Sequence, residues 1–176
     1  MTVPPIMGDD LDRLEGLSAR EMADRIGVLA ARVTQGASND GVAAAAAQHL
    51  RQSSGAETTG AWVSYAAASR AAIFLPELTD RLSTAREEIR AAVIAAVAWN
   101  RSDGVNAVLL DVIQADASAD VRRLALKYLV RPGSLGEWEP TDLTSAVREA
   151  DWRPVTRREY ETVRVKRTRS AGENRD

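Results

Sequence analysis

From residue 18 to residue 131 the apolar positions recur at helical spacing, interrupted at short intervals by caps and turns. Ser18 and Glu21 form a capping box, in which the hydroxyl accepts from a free amide of the first turn and the carboxylate reaches back to the cap amide. Met22, Ile26, Leu29, Ala30 and Val33 then share one face, and Gly36 ends the helix. A second stripe, Val42, Ala45, Ala46, His49 and Leu50, predicts a helix over residues 42–52. Thr58 or Thr59 opens a third, through Trp62, Tyr65, Ala66 and Ala72. Pro76 then either kinks this segment or starts a new helix near Leu75, with Leu78 and Leu82 continuing the spacing. Thr84 and Glu87 read as another capping box before Ile89, Ala92, Val93, Ala96 and Val97. Val105, Val108, Leu109, Val112 and Ile113 follow the Asp103-Gly104 turn. Ser118 caps the last regular helix, with Val121, Leu124, Ala125, Tyr128 and Leu129 on its apolar side.

Outside this region the pattern loosens. Residues 1–17 carry two prolines and an acidic group and read as a flexible N-terminal arm. The Pro132-Gly133 break is followed by a shorter helix from Thr141 to about Ala150. Thr156 and Glu159 can cap a further helix within the basic segment 153–176, whose end, from Lys166, is charged and polar enough to be disordered. No stretch alternates with period two, so the expected class is all-α.

The helices are related to one another. Shifting Ile89 onto Val121, by 32 residues, aligns Glu88 with Asp120, Arg90 with Arg122 and Val97 with Leu129. Val42 can be superposed on the same positions. A period of this size points to stacked helical hairpins, because one hairpin cannot bury its apolar face alone. Here the chain resembles the HEAT-like α-solenoid family, whose repeat has a proline in its first helix, an aspartate at the turn and a Val-Arg pair opening its second helix. Pro76 with Ile89-Arg90 and Asp116 with Val121-Arg122 carry the resemblance. Thr84, Val108, Ala37 and Ala43 depart from it.

The resemblance implies a short right-handed α-solenoid of antiparallel helical hairpins over residues 18–152, with additional C-terminal helices. It also implies contact of Asp116 with Arg90 or Arg122, and a concave surface lined by the second helices.

Composition narrows the function. There is no cysteine, hence no disulfide framework and no thiolate metal site. The longest apolar run, near residues 91–99, is too short to cross a membrane. The N-terminus lacks the basic-then-apolar pattern of a signal peptide, so a cytoplasmic protein is expected. Lys127 and Lys166 are the only lysines. An alanine- and arginine-rich composition of this kind accompanies a GC-rich genome. Charge is uneven: residues 1–152 hold 21 acidic and 15 basic side chains, whereas residues 153–176 hold 4 and 8.

Catalytic chemistry is thinly represented. His49 is the only histidine and lies beside Leu50 on an apolar face, which suits a structural role. Glu87 and Glu88 sit at a helix start, where the dipole accounts for them. No glycine-rich phosphate loop occurs. No catalytic, cofactor or metal residues are therefore assigned, and a non-enzymatic protein-binding adaptor or scaffold is expected. Arg123, Lys127 and Arg131 recur at i, i+4 and i+8 on the last repeat helix and are the candidate partner contacts. Trp138 in the post-proline loop and Arg157 and Arg158 in the basic segment join them. The alternative is a nucleic-acid-binding protein using the same basic strip and C-terminal segment, as some HEAT-like DNA glycosylases do. The acidic body opposes it.

Overall fold

The computed structural model describes residues 2–129. It is all-α: eight α-helices and one 3-10 turn, with no strand among the described residues. The helices are α1 (Gly8–Asp12), α2 (Ala19–Thr34), α3 (Ala43–Gln52), α4 (Ala56–Ser69), α5 (Leu75–Thr84), α6 (Glu87–Trp99), α7 (Val105–Ala115) and α8 (Ala119–Leu129). The 3-10 turn, Ala72–Phe74, leads into α5, and Pro76 stands in the first turn of that helix, where its missing N–H costs nothing. The backbone divides into two compact units, one ending at Val105 and the other beginning at Asn106.

In the first unit α4 is the central helix. It packs most extensively on α2, then on α6 and on α3, while α5 packs against α6 and α3. The sequence of α4 dictates this place. After Glu57 it carries no charge, and from Thr58 to Ser69 only Ser64 is exposed. A helix that is apolar or small on all sides is stable only with neighbours on several sides. α4 lies against α6 at Gly60, where an added Cβ would make an ordinary contact, 3.8 Å, with Ile89 Cδ1.

Aromatic rings run through this core. His49 stacks on Trp62 at 5.3 Å, Trp62 meets Tyr65 edge-on at 5.6 Å, and Tyr65 meets Phe74 edge-on at 6.1 Å. Trp62, Tyr65 and Phe74 are fully or almost fully buried and His49 is half-buried. The Tyr65 hydroxyl is buried without a hydrogen-bond partner, and burial pushes its pKa up, against a smaller downward influence from the side chain of Asn39.

The ends of the helices are held by side chains. Ser18 and Glu21 form the expected capping box, with the Glu21 carboxylate accepting from the Ser18 amide at 3.0 Å. The hydroxyl of Ser18 holds the Glu21 carboxyl below its usual pKa. The Thr84 capping box does not form. Thr84 is the last residue of α5, its hydroxyl donates to the Asp80 carbonyl, and Arg86 takes the N-cap position of α6. At the end of α3 a guanidinium substitutes for a cap: Arg81 Nη2 donates to the carbonyls of Leu50, Arg51 and Ser53 at 2.6, 2.6 and 3.0 Å. These are the carbonyls that a helix end leaves without partners.

The N-terminal segment, expected as a loose arm, is docked. Ile6, Leu11 and Leu14 are buried, and the Ile6 amide donates to the Ser38 carbonyl at 2.8 Å. Arg32 donates to Asp10 and to the carbonyls of Pro4 and Pro5. Asp10 also accepts from the Met7 amide at 3.0 Å. That bond, and then the Arg32 guanidinium, hold its carboxyl below the ordinary value against the opposing effect of burial.

In the second unit, α7 buries Leu109, Val112 and Ile113, and α8 buries Val121, Ala125, Leu126 and Leu129. Leu124 and Tyr128, expected on the buried stripe, are half-buried, so the buried face of α8 is rotated toward Leu126. The segments from residue 130 onward, including the expected helices after Thr141 and Thr156, lie outside the described residues.

Three outcomes are expected. Arg81→Ala removes the guanidinium from the carbonyls at the end of α3, of which Leu50 keeps its bond from Ser53, and lowers stability by roughly 1–2 kcal/mol in urea unfolding, with Arg81→Lys in between. Tyr65→Phe, which removes a buried hydroxyl with no partner, leaves stability within about 0.5 kcal/mol of the parent or raises it, whereas Trp62→Ala costs about 3–5 kcal/mol. Because Asp10 has a lowered folded pKa, its contribution is complete above the unfolded carboxyl pKa and is lost as pH falls through the folded one. Proteolytic resistance of the N-terminal segment therefore falls on acidification below about pH 4. Asp10→Asn abolishes that pH dependence.

Candidate interaction surface

The candidate cations of the last repeat helix are set by how α8 begins. Asp116 Oδ1 accepts from the Ser118 amide at 2.8 Å, and the Ser118 hydroxyl accepts from the Val121 amide at 3.3 Å, as its capping role requires. Arg122 turns back along the helix and donates through Nη1 to the carbonyls of Asp116, at 2.6 Å, and Ala117, at 3.2 Å. Its contact with Asp116 is therefore to the main chain. Arg123 lies one position on and pairs with Asp120 at 2.9 Å, its side chain 38% exposed. Lys127, one turn further, is exposed. The strip is thus a cation pair, at i and i+4, with a carboxylate on its N-terminal side. Arg131, Trp138, Arg157 and Arg158 lie outside the described residues.

Two open grooves flank the α3–α4 turn. One, of about 440 Å³, is lined by residues that include Ser53, Ser54, Thr59, Arg81, Arg86 and Ile89. The other, of about 340 Å³, is walled by Met22, His49, Gln52, Thr58 and Trp62 among others. Their hydroxyls hold the turn itself. Ser53 donates to the Leu50 carbonyl and Thr58 to the Ser54 carbonyl, each at 2.8 Å, and Ser53 and Thr59 share a hydrogen bond at 3.1 Å. Among the described residues no three His, Asp or Glu side chains come together in a way that would hold a metal ion.

A corner at the opposite ends of α4 and α6 was not signalled by the sequence. Trp99 ends α6 and is 37% exposed, with the Arg70 guanidinium 4.8 Å above its ring. Arg70 is the C-cap of α4 and adopts a left-handed conformation, φ 56°, alone among the non-glycine residues described. Asn100 builds the corner. It is fully buried, donates to the Ala71 carbonyl at 2.7 Å and accepts from the Ser102 amide at 2.9 Å. The next amide, of Arg101, donates to the Arg70 carbonyl at 2.9 Å. The available signal was an asparagine directly after a helix-ending tryptophan, which sequence spacing cannot connect to residues 70 and 71, about thirty positions earlier.

No family model matches the chain, and comparison with curated proteins and with solved structures gives no match either. What the fold defines is an all-α protein in which no described helix is long and apolar enough to cross a membrane.

Proposed function

We propose that this chain is a short HEAT-like helical-repeat module that works, without catalysis, as a cytoplasmic protein-binding adaptor. The observation that carries the reading is the regular return of the same helices. α4, α6 and α8 begin at Ala56, Glu87 and Ala119, 31 and 32 residues apart. α3, α5 and α7 begin at Ala43, Leu75 and Val105, 32 and 30 apart. The contacts follow the two series: α2, α4 and α6 pack in succession, and α3 packs on α5. Stacked hairpins bury their faces in this way.

One side-chain contact repeats with the same period. Arg90 Nη1 donates to the Ala85 carbonyl at 3.0 Å, and Arg122 Nη1, 32 residues on, donates to that of Ala117 at 3.2 Å. In this reading the counterpart of α6 in the preceding hairpin is α4, not the Val42 helix α3. The interval from Val42 to Ile89 is longer than one period, and α4 lies within it.

An array of this kind serves by its surface, and the exposed side of α8 offers Arg123 and Lys127 to a partner, with Arg131 continuing the spacing. The test is a pull-down from a native lysate with the purified chain as bait. Replacing Arg123, Lys127 and Arg131 together by alanine is expected to lower partner recovery about tenfold or more while helicity is kept. Unchanged recovery moves the contact elsewhere on the chain. Retention on a duplex DNA column, lost progressively as salt is raised, would replace the adaptor reading with the nucleic-acid one.

A further inference from the structure

Four large apolar side chains are exposed among the described residues: Met7, Val28, Ile73 and Trp99. Two of them stand on the segments that are joined at the corner described above. Ile73, 45% exposed, follows Ala71 by two residues, and Ala71 is bonded to Asn100, the neighbour of Trp99. Ala72 and Pro76 on the same segment are exposed as well. Two cations stand with them. Arg70 and Arg101 are exposed, and neither is in an ion pair among the described residues. Asp103 is exposed nearby, which leaves the corner with a net positive charge. That sign is unusual here, because residues 1–105 carry ten arginines, no lysine and thirteen carboxylates.

The corner is also preorganised. Hydrogen bonds from Asn100 and Arg101 lock its two segments together, so a ligand meets a surface already in place. Arg70 is held in a conformation in which glycine would be unstrained. An aromatic and an arginine are the residue types that dominate binding surfaces, and here they stand together, Arg70 over Trp99.

We propose that the corner of Arg70, Ile73, Trp99 and Arg101 docks an acidic peptide segment of a partner protein, an apolar side chain of the segment resting on Trp99 and Ile73 and its carboxylates meeting the two guanidinium groups. This rests on the adaptor reading and names the chemistry of its partner. Charge complementarity selects the occupant: guanidinium groups bind carboxylates in bidentate fashion, and they do so here on a body whose other charges repel acid and so enforce register. A nucleic acid is disfavoured by the same numbers, since two cations on an acidic unit neutralise few phosphates, and Arg70 covers a face of Trp99 on which a base would stack.

The test is selection of a displayed random dodecapeptide library on the purified full chain, followed by binding of the enriched synthetic peptides to variants. Enriched peptides are expected to combine at least two acidic residues with an aromatic or branched aliphatic one. Arg70→Gly is expected to weaken them roughly tenfold or more. The same variant should melt at or above the parent temperature, because glycine accepts the left-handed conformation. Loss of binding in it is therefore not loss of fold. Arg101→Ala should weaken binding in the same direction.

Peptides without acidic residues, or peptides indifferent to Arg70→Gly and Arg101→Ala, overturn the proposal. Peptides that depend on Arg123 and Lys127 instead overturn it while leaving the adaptor reading in place. Failure to enrich any peptide overturns it too, and the pull-down then shows whether the adaptor reading falls with it. Sedimentation showing a dimer that Ile73→Asp dissolves would assign the corner to a second copy of the chain. Low-salt DNA retention abolished by Arg70→Gly would assign it to nucleic acid.

Discussion

Beyond its first turn α4 has no charged side chain with which to face water, and twelve residues of it must find apolar surroundings on several sides at once. That requirement places α2 on one flank and α6 on another, with α3 beside them, and it decides where the large side chains go. Trp62 and Tyr65 project from α4 and are met by His49 from α3 and Phe74 from the turn before α5. In a chain built mainly on alanine, few side chains are large enough to fill the space between helices. The ones that are large stand together, where offset and edge-on ring contacts add to what burial supplies. The small residues do the complementary work of letting backbones approach.

Close approach of helices brings their ends close too, and those ends expose carbonyls that need donors. Arginine meets this need again and again. Arg32 serves Pro4 and Pro5, Arg81 serves Leu50, Arg51 and Ser53, Arg90 serves Ala85, and Arg122 serves Asp116 and Ala117. A planar fork of five donors reaches several carbonyls from one side chain, which the single ammonium of lysine does less well. The scarcity of lysine, whatever its genomic origin, suits this use. It also means that much of the positive charge counted along the sequence is spent inside the structure. Among the described arginines, those turned outward are a smaller set than the count suggests.

The parts legible in the sequence were those governed by local rules. Helical periodicity located every helix of ten residues or more among the described residues. Ser18 and Ser118 were recognisable as caps because a cap is defined within four residues. Pro76 was readable as a kink or a helix start because its ring geometry is local, and it stands in the first turn of α5. The rule failed at Thr84, where the same four-residue pattern occurs but α5 runs one residue further and uses the hydroxyl for its own backbone. It also missed the docking of residues 2–17, which depends on Arg32 and Ser38, some thirty positions away. The corner at Trp99 was invisible for the same reason. Asn100 and Ala71 are 29 residues apart, and no spacing rule pairs an asparagine with a distant carbonyl.

The two surfaces differ in what fixes them. Arg123 and Lys127 stand on one helix, and their separation follows from helical geometry alone. Any solvated helix face of that composition would show the same strip, and Asp120 already pairs with one of its cations at the surface. The corner is fixed by contacts between segments: a buried asparagine with both ends of its amide bonded, a main-chain bond beside it, and an arginine kept in a left-handed conformation over a tryptophan. Packing accounts for the asparagine, which ties the loop after α6 to the loop after α4. It does not account for the arginine. Glycine would end α4 with less strain, and a shorter side chain would leave the Asn100 bonds unaltered. The strain is retained at an exposed position whose guanidinium lies over Trp99, and that is the arrangement the proposed docking uses.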